Sequence, residues 1–183
     1  MPVPFSQVEA LLALPRDFYE RPTIEVARDL LGKTLIHRRR AGRIVEVEAY
    51  LGEQDRAAHA WSGRTRRTEV LYGPGGYCYV YLVYGMYHCL NVVAETAGSP
   101  GCVLVRALEP LCGIETKPPC NGPGRLTRAL GIDLRQYGAD LTAGPLTVRD
   151  ALRPLTEIVQ TGTRIGIRHA TDWPLRFWLA SPT

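Results

Sequence analysis

Residues 77–93, Y-C-Y-V-Y-L-V-Y-G-M-Y-H-C-L-N-V-V, constrain the fold more than any other stretch of this chain. Almost every position is β-branched, aromatic or otherwise strand-forming, and Gly85 is the only turn-former inside the run. Two strands joined near Tyr84-Gly85 are the natural outcome, because the alternative is one strand too long to remain flat and unbroken. Five tyrosines fall within residues 77–87, at Tyr77, Tyr79, Tyr81, Tyr84 and Tyr87. Tyr79 and Tyr81 share one strand face by the ordinary strand period, and an aromatic ladder that stabilises a sheet accounts for Tyr77, Tyr79 and Tyr87. Tyr84 is different. A large aromatic at an apex where Asn or Asp is usual gains no core burial, so it is expected to be buried in a partner.

Other segments supply the rest of the fold. T-I-E-V-A-R-D-L-L-G (23–32) reads as a helix, with Thr23 as N-cap, a stripe of Val26, Leu30 and Leu31, and Gly32 as its stop. R-I-V-E-V-E-A-Y-L (43–51) alternates as a strand: Val45, Val47, Ala49 and Leu51 face one side, while Ile44, Glu46, Glu48 and Tyr50 face the other. C-V-L-V-R-A-L (102–108) is a further strand with Arg106 inside it, and R-I-G-I-R (164–168) a late one. G-P-G-R-L-T-R-A-L-G (122–131) is a short helix introduced by Pro123 and closed by Gly131. The Pro/Gly-rich run 110–124 reads as a long surface loop, and P-L-R-F-W-L (174–179) as a packing segment near the end. Strands outnumber helices and few strand pairs have a helix between them. The expected fold is therefore α+β: a single mixed domain over 1–183, with a curved, mainly antiparallel β-sheet and a protruding β-hairpin, flanked by helices, the first 14 residues being less ordered.

The start of the chain has no basic n-region, carries Glu9 and has only a short apolar run, so it is read as neither signal peptide nor membrane span. Five cysteines, an odd number with no C-x-x-C pair, fit reduced and mostly buried thiols in a cytoplasmic protein. The net charge of +4 is modest, yet of the 22 basic residues only Lys33 and Lys117 are lysine. Eight arginines crowd into residues 38–67, and the bidentate guanidinium fork suits phosphate. Solvated surface charge from a high-Arg composition is the bland alternative. No G-x-G-x-x-G follows a strand, and neither a phosphate loop nor H-E-x-x-H is present.

Chemistry is expected on strand 43–51, where Glu48 and Tyr50 share a face and D-R-A-A-H (55–59) follows at once. A strand glutamate is usually solvated, but one in a cleft near aromatics can act as general base toward water. Glu48, Asp55 and His59 as metal ligands are the weaker alternative, since dedicated sites show tighter spacing. Arg106, flanked by Val105 and Ala107, needs an anionic partner. Neither lysine sits where desolvation would make it nucleophilic, which disfavours a Schiff base.

Taken in order, A-R-D-L-L-G (27–32), I-V-E-V-E-A-Y-L-G (44–52), A-A-H (57–59), Y-V-Y-L-V-Y-G-M-Y-H-C-L-N (79–91), V-L-V-R-A-L-E-P (103–110) and G-P-G-R-L (122–126) resemble the alkyladenine (3-methyladenine) DNA glycosylase family. The resemblance implies a monofunctional purine DNA glycosylase that excises alkylated or deaminated purines, without metal or other cofactor, from double-stranded DNA, as a monomer with no membrane attachment. By the same resemblance Glu48 is the general base, with Arg106 and the Ile165 carbonyl holding its water. Tyr50, His59 and Tyr81 would sandwich and hydrogen-bond the flipped base, and Asn91 would crowd the 2-amino group of guanine. Tyr84 would be the wedge that fills the gap in the duplex, answering why a tyrosine stands at the apex. Arg64, Arg67 and Arg125 are the expected phosphate contacts. Thr68 stands where the family tends to have Asn, and Leu71-Tyr72 where it tends to have Met-Phe. A non-catalytic nucleic-acid-binding module with the same sheet and wedge is the competing reading, and Glu48 discriminates, since a pure binder has no need of it.

Overall fold

The computed structural model describes residues 3–180 except Thr116 and Pro118. The tyrosine run folds as strands β3 (Cys78–Val83) and β4 (Tyr87–Ala94), paired from Cys78↔Val92 to Val83↔Tyr87. The alternation sorts their side chains cleanly: Cys78, Val80, Leu90 and Val92 enter the main core, while Tyr79, Tyr81 and Asn91 lie on the opposite face. At the tip Tyr84 has φ +52° and Gly85 φ +67°, and the Met86 N–H donates to the Val83 carbonyl at 3.1 Å. Positive φ at both central residues matches the twist of paired strands, but for a non-glycine residue it costs on the order of 1–2 kcal/mol.

Strand β5 (Gly101–Cys112) pairs with β4 on one side and with β2 (Arg40–Tyr50) on the other. The free side of β2 is divided. Its first residues pair with β1 (Thr34–His37), and Glu46–Glu48 pair with β8 (Arg176–Ala180). Beyond β1 lies β6 (Leu146–Arg149), and beyond β8 lies β7 (Ile158–Gly162). All pairings are antiparallel, and the order β3-β4-β5-β2-β1-β6, with β8 and β7 branching from β2, makes a curled half-barrel. The helices are α1 (Phe5–Glu9), α2 (Arg16–Tyr19), α3 (Thr23–Leu30) and α4 (Pro123–Leu130). Val26, Ala27 and Leu30 of α3 and Leu126 and Leu130 of α4 seal the core, which also takes in Ile44, Val47, Ala49 and Phe177.

Several expectations are corrected. Thr23 is the first helical residue rather than the N-cap; Pro22 holds that position, and the Thr23 hydroxyl donates to the Glu95 carboxylate. The 110–124 stretch is loop only in part, because Pro110–Cys112 finish β5 against Gly42 and Ala41. Residues 164–168 form no strand: Gly166 has φ +75°, and the polar groups of Arg164 and Ile165 bind side chains elsewhere instead of a neighbouring strand. The late strands are β7 and β8, the second of which takes up most of 174–179. Within the stretch expected to be less ordered, residues 5–9 form α1, with Val8 buried.

The two faces of β2 also exchange partway along. Ile44 opposes Leu108, Glu46 opposes Ala107 and Val47 opposes Val105, so Val45 on β2 and Arg106 on β5 each stand as an extra residue. These two bulges return Ile44 to the core beside Val47 and Ala49, although strict alternation would put it beside Glu48.

Candidate active site

Glu48 has no exposed surface. A buried carboxylate requires donors, and three are supplied from three different segments. The Ile165 N–H donates to Oε1 at 2.8 Å, the Tyr50 hydroxyl donates to Oε2 at 2.8 Å, and Arg106 Nη1 lies 3.4 Å from Oε1. A carboxylate offers about four lone-pair directions, so one remains for a further donor such as water. Tyr50, Arg106 and Ile165 all line a cleft of about 1260 Å³, and Glu48 lies directly behind them.

The bulge in β5 explains Arg106. Standing outside the regular register, it is re-aimed toward two carboxylates, with Nε donating to Glu46 Oε1 at 3.2 Å while Nη1 faces Glu48. Glu46 also accepts from Arg176 Nη1 at 3.1 Å, so β8 is tied to the same cluster.

Ile165 is positioned by its neighbour. Arg164 and Asp55 form an ion pair in which neither side chain is exposed, with Arg164 Nη2 donating to Asp55 Oδ1 at 2.9 Å. Arg164 Nη1 donates to the Ala49 carbonyl at 3.0 Å, and the guanidinium carbon sits 4.7 Å from the centroid of the Tyr50 ring. Asp55 also accepts from the Leu51 and Ala57 backbone N–H groups at 3.1 and 3.0 Å. This one carboxylate therefore wraps residues 51–57 about itself and delivers His59 to the cleft wall. Engaged in this way, Asp55 does not join Glu48 and His59, and among the described residues no three His, Cys, Asp or Glu side chains converge as metal ligands.

The opposite wall is aromatic. His59 and Tyr81 meet with ring centroids 4.5 Å apart, Tyr79 and Tyr81 are 5.3 Å apart, and the Tyr79 hydroxyl shares a 2.8 Å hydrogen bond with His59 Nδ1. Desolvation by the packed walls, with the Arg67 charge added, lowers the His59 pKa to about 4, although part of the ring is open to the cleft. Burial pushes the phenols of Tyr50, Tyr79 and Tyr81 well above their usual range, with Glu48 adding to the effect at Tyr50. They are donors, not anions, at any physiological pH. Asn91 is buried on the floor, where Nδ2 donates to the Tyr79 carbonyl at 3.2 Å.

Residues singled out from the sequence thus divide. Glu48, Tyr50, His59, Tyr81, Asn91, Arg106 and Ile165 come together, and the Ile165 amide, which the sequence reading did not assign, donates to Glu48. Tyr84 stands at the rim, 86% exposed, beside the exposed Leu82, Met86 and Tyr87. Arg67 lines the cleft over the Tyr81 ring, and Arg125 lines it while donating to Asn121 Oδ1 at 2.6 Å. Arg64 lies outside the cleft lining, paired with Glu69. Sequence reasoning missed Arg164 entirely and read Tyr79 only as a sheet residue. The strand period that links Tyr79 to Tyr81 was the available signal for the second.

Comparison with known proteins gives a consistent result. Residues 17–183 match the family model described as methylpurine-DNA glycosylase (MPG). A protein of Methanoculleus marisnigri is 50% identical over 92% of this chain and 95% of its own length. Relatives from Legionella pneumophila (strain Corby) and Myxococcus xanthus are each 46% identical over 91% of this chain, and over 93% and 89% of their own lengths. All three carry the name "Putative 3-methyladenine DNA glycosylase".

Two predictions follow from the geometry. Asp55→Asn leaves the Arg164 guanidinium buried without its counter-ion and is expected to cost about 3–5 kcal/mol of stability in urea unfolding. Combining Asp55→Leu with Arg164→Met should recover most of that loss; a single-variant cost below about 1 kcal/mol would show that the pair does not hold the loop. The second concerns His59, followed by NMR of its ring across pH. Its titration is expected near pH 4, not near the ordinary 6.5. The unfolded chain then takes up the proton first, so stability falls as pH drops from about 6.5 toward about 4 and is fully present above that window. A midpoint at 6 or above in the native state would contradict the crowded, desolvated setting of the ring.

Proposed function

The chain belongs to the methylpurine-DNA glycosylase family, and on that premise we propose that it is a monofunctional purine DNA glycosylase using Glu48 as its general base. The observation that carries the reading is the buried carboxylate at the foot of an aromatic cleft, with one lone-pair direction left after its three protein donors. An alkylated or deaminated purine, rotated out of the duplex, would enter between Tyr81 and His59 on one side and Tyr50 on the other. Water held at Glu48 loses a proton to the carboxylate as its oxygen bonds to C1′ of the sugar. The glycosidic C–N bond breaks, and the purine leaves with the bonding pair. Arg106, beside both Glu46 and Glu48, orients the carboxylate; Tyr50 does the same through its hydroxyl. Asn91, fixed by the Tyr79 carbonyl, would press against a 2-amino group and disfavour guanine.

No step needs a metal, since the side chains that could ligate one are otherwise engaged: Asp55 by Arg164, and His59 by Tyr79. Tyr84 would fill the vacated place in the stack. Its φ of +52° is the kind of strain kept where function requires a side chain that the backbone does not favour. A non-catalytic binder would share the wedge and the basic lining, but would have no use for a carboxylate buried at the cost of three donors.

The decisive experiment scores abasic sites in duplexes carrying 3-methyladenine, 7-methylguanine, hypoxanthine or ethenoadenine, with EDTA present throughout. Glu48→Gln should lower excision by roughly 10²–10⁴-fold while lesion binding persists, the usual worth of a positioned general base. Excision at the wild-type rate by that variant would remove Glu48 from the mechanism. For the wedge, Tyr84→Ala is expected to keep the melting temperature and weaken binding to lesion duplex by about 1–3 kcal/mol, the worth of stacking one base on a ring. Single-stranded substrate needs no unpairing and should discriminate little between variant and wild type; equal losses on both would refute the wedge.

A further inference from the structure

Three successive arginines, Arg38, Arg39 and Arg40, remain without a part in this scheme. They form the turn of the β1–β2 hairpin, where His37 pairs with Arg40 and Arg38 adopts φ +57°. Some of the arginines nearby have acidic partners: Arg43 has Glu157 and Glu109, Arg64 has Glu69, and Arg106 has Glu46 and Glu48, whereas Arg67, Arg125 and Arg128 in the cleft have none among the described residues. Among the described residues Arg38, Arg39 and Arg40 form no ion pair, and all three are exposed. Their side chains, with Arg135 and the end of α4, enclose a hollow of about 320 Å³. Two bland roles are available. Capping of the α4 C-terminus, where carbonyls attract cations, accounts for Arg40, whose Nη1 donates to the Ala129 carbonyl at 3.3 Å, and packing on an aromatic face accounts for part of Arg39, whose guanidinium carbon lies 5.1 Å from the Phe5 ring centroid; neither accounts for Arg38. Arg135 already has a partner in Asp133, and His37 Nδ1 is engaged with the Leu130 carbonyl at 2.9 Å.

Arg40 lines both this hollow and the catalytic cleft, and Arg125 and Arg128 of α4 line the cleft on the same side. A basic surface thus continues from the cleft to the hairpin turn without an intervening acidic patch from α4. We propose that the Arg38–Arg39 turn is a distal phosphate contact, gripping the backbone of the duplex arm that flanks the extruded nucleotide. The identity of the occupant rests on the glycosylase reading; the charge complementarity does not. Nine and ten residue steps separate Arg39 and Arg38 from Glu48, so the backbone of the turn lies at most about 33 Å from that carboxylate at ~3.3 Å per residue. At ~3.4 Å per base pair this corresponds to a phosphate up to about 10 base pairs from the lesion.

The proposal predicts a dependence on duplex length that no contact near the lesion would show. Binding is measured by fluorescence anisotropy across a salt series, for wild type and for Arg38→Asn/Arg39→Gln, in which Asn suits the left-handed backbone. Two duplexes are compared, with flanks of about 12 and about 4 base pairs, each with and without a lesion. On the long duplex the variant should bind several-fold more weakly, with the slope of log affinity against log salt shallower by about 0.9 per lost contact. On the short duplex the two proteins should coincide. Arg38→Lys/Arg39→Lys should keep the wild-type slope, which separates lost charge from a disturbed turn. Equal slopes on the long duplex, or an equal reduction on both lengths, would overturn the proposal. Failure of the catalytic reading would look different: no abasic sites form on any lesion, while the length-dependent slope persists on undamaged DNA.

Discussion

Burying a carboxylate away from bulk solvent imposes requirements on every element around it. Glu48 sits on β2, the strand that pairs with β1, β5 and β8, and its two oxygens take donors from β2 itself, from β5 and from the loop after β7. Tyr50 is placed by the ordinary strand period, but the other two donors are not where an unperturbed sheet would leave them. Arg106 reaches the site because β5 carries an extra residue there, and the Ile165 amide is available because its segment is a loop whose N–H is not committed to a strand. That loop is in turn fixed by Arg164 and Asp55, a fully buried pair that also meets the Ala49 carbonyl and the Tyr50 ring. A buried ion pair seldom adds much net stability over an apolar substitute. What this one does is couple the end of β2 and the loop that follows it to the loop after β7, more than 100 residues away, so that the Tyr50 and Ile165 donors of Glu48 are set by the same contact.

The sequence conveyed whatever depends on local periodicity. The hairpin was legible because its side chains alternate over both strands and only Gly85 interrupts them; α4 was legible because Pro123 and Gly131 mark its ends, the latter at φ +70°. Face assignments along β2 failed at Ile44, since a bulge belongs to the pairing of two strands and leaves no trace in the alternation of one. The R-I-G-I-R segment looked like a strand for the opposite reason: Ile165 and Ile167 alternate properly, but an amide drawn to Glu48 and an arginine drawn to Asp55 override that weak local preference. Asp55 and Arg164 are 109 residues apart, and nothing in either neighbourhood names the other. The buried Glu48 carboxylate itself was legible through its company, Tyr50 and Arg106, more than through its own position.

The aromatic wall shows how a site can be rigid without being polar. Tyr79 is fully packed and contributes only its hydroxyl, which fixes the His59 ring; His59 and Tyr81 then present faces and edges whose positions are set by the sheet. With His59 lowered to a pKa of about 4 by desolvation, the ring meets a ligand as a neutral imidazole. A cationic ring there would repel a positively charged ligand, and the neutral wall is suited to stacking and neutral hydrogen bonding; on the proposed reading, selection of the base would then fall to shape and to Asn91.

Charge is arranged by the same economy. A net charge of +4 is too small to mark the chain as a DNA-binding protein, and several arginines are spent on internal carboxylates. Arginines without an ion pair among the described residues include Arg40, Arg56, Arg67, Arg125, Arg128 and Arg168 in the cleft and Arg38 and Arg39 at the β1–β2 turn. On the proposed reading a duplex approaching the protein is steered mainly by such unpaired charges, because the fields of paired charges largely cancel at long range. The tip of the β3–β4 hairpin carries the complementary property: Leu82, Tyr84, Met86 and Tyr87 are exposed and uncharged. On the proposed reading, phosphates would be drawn to the arginines and the stacked bases to the apolar tip, two attractions acting on different parts of one duplex, so that the arginines would hold the backbone while the tip works against the stack.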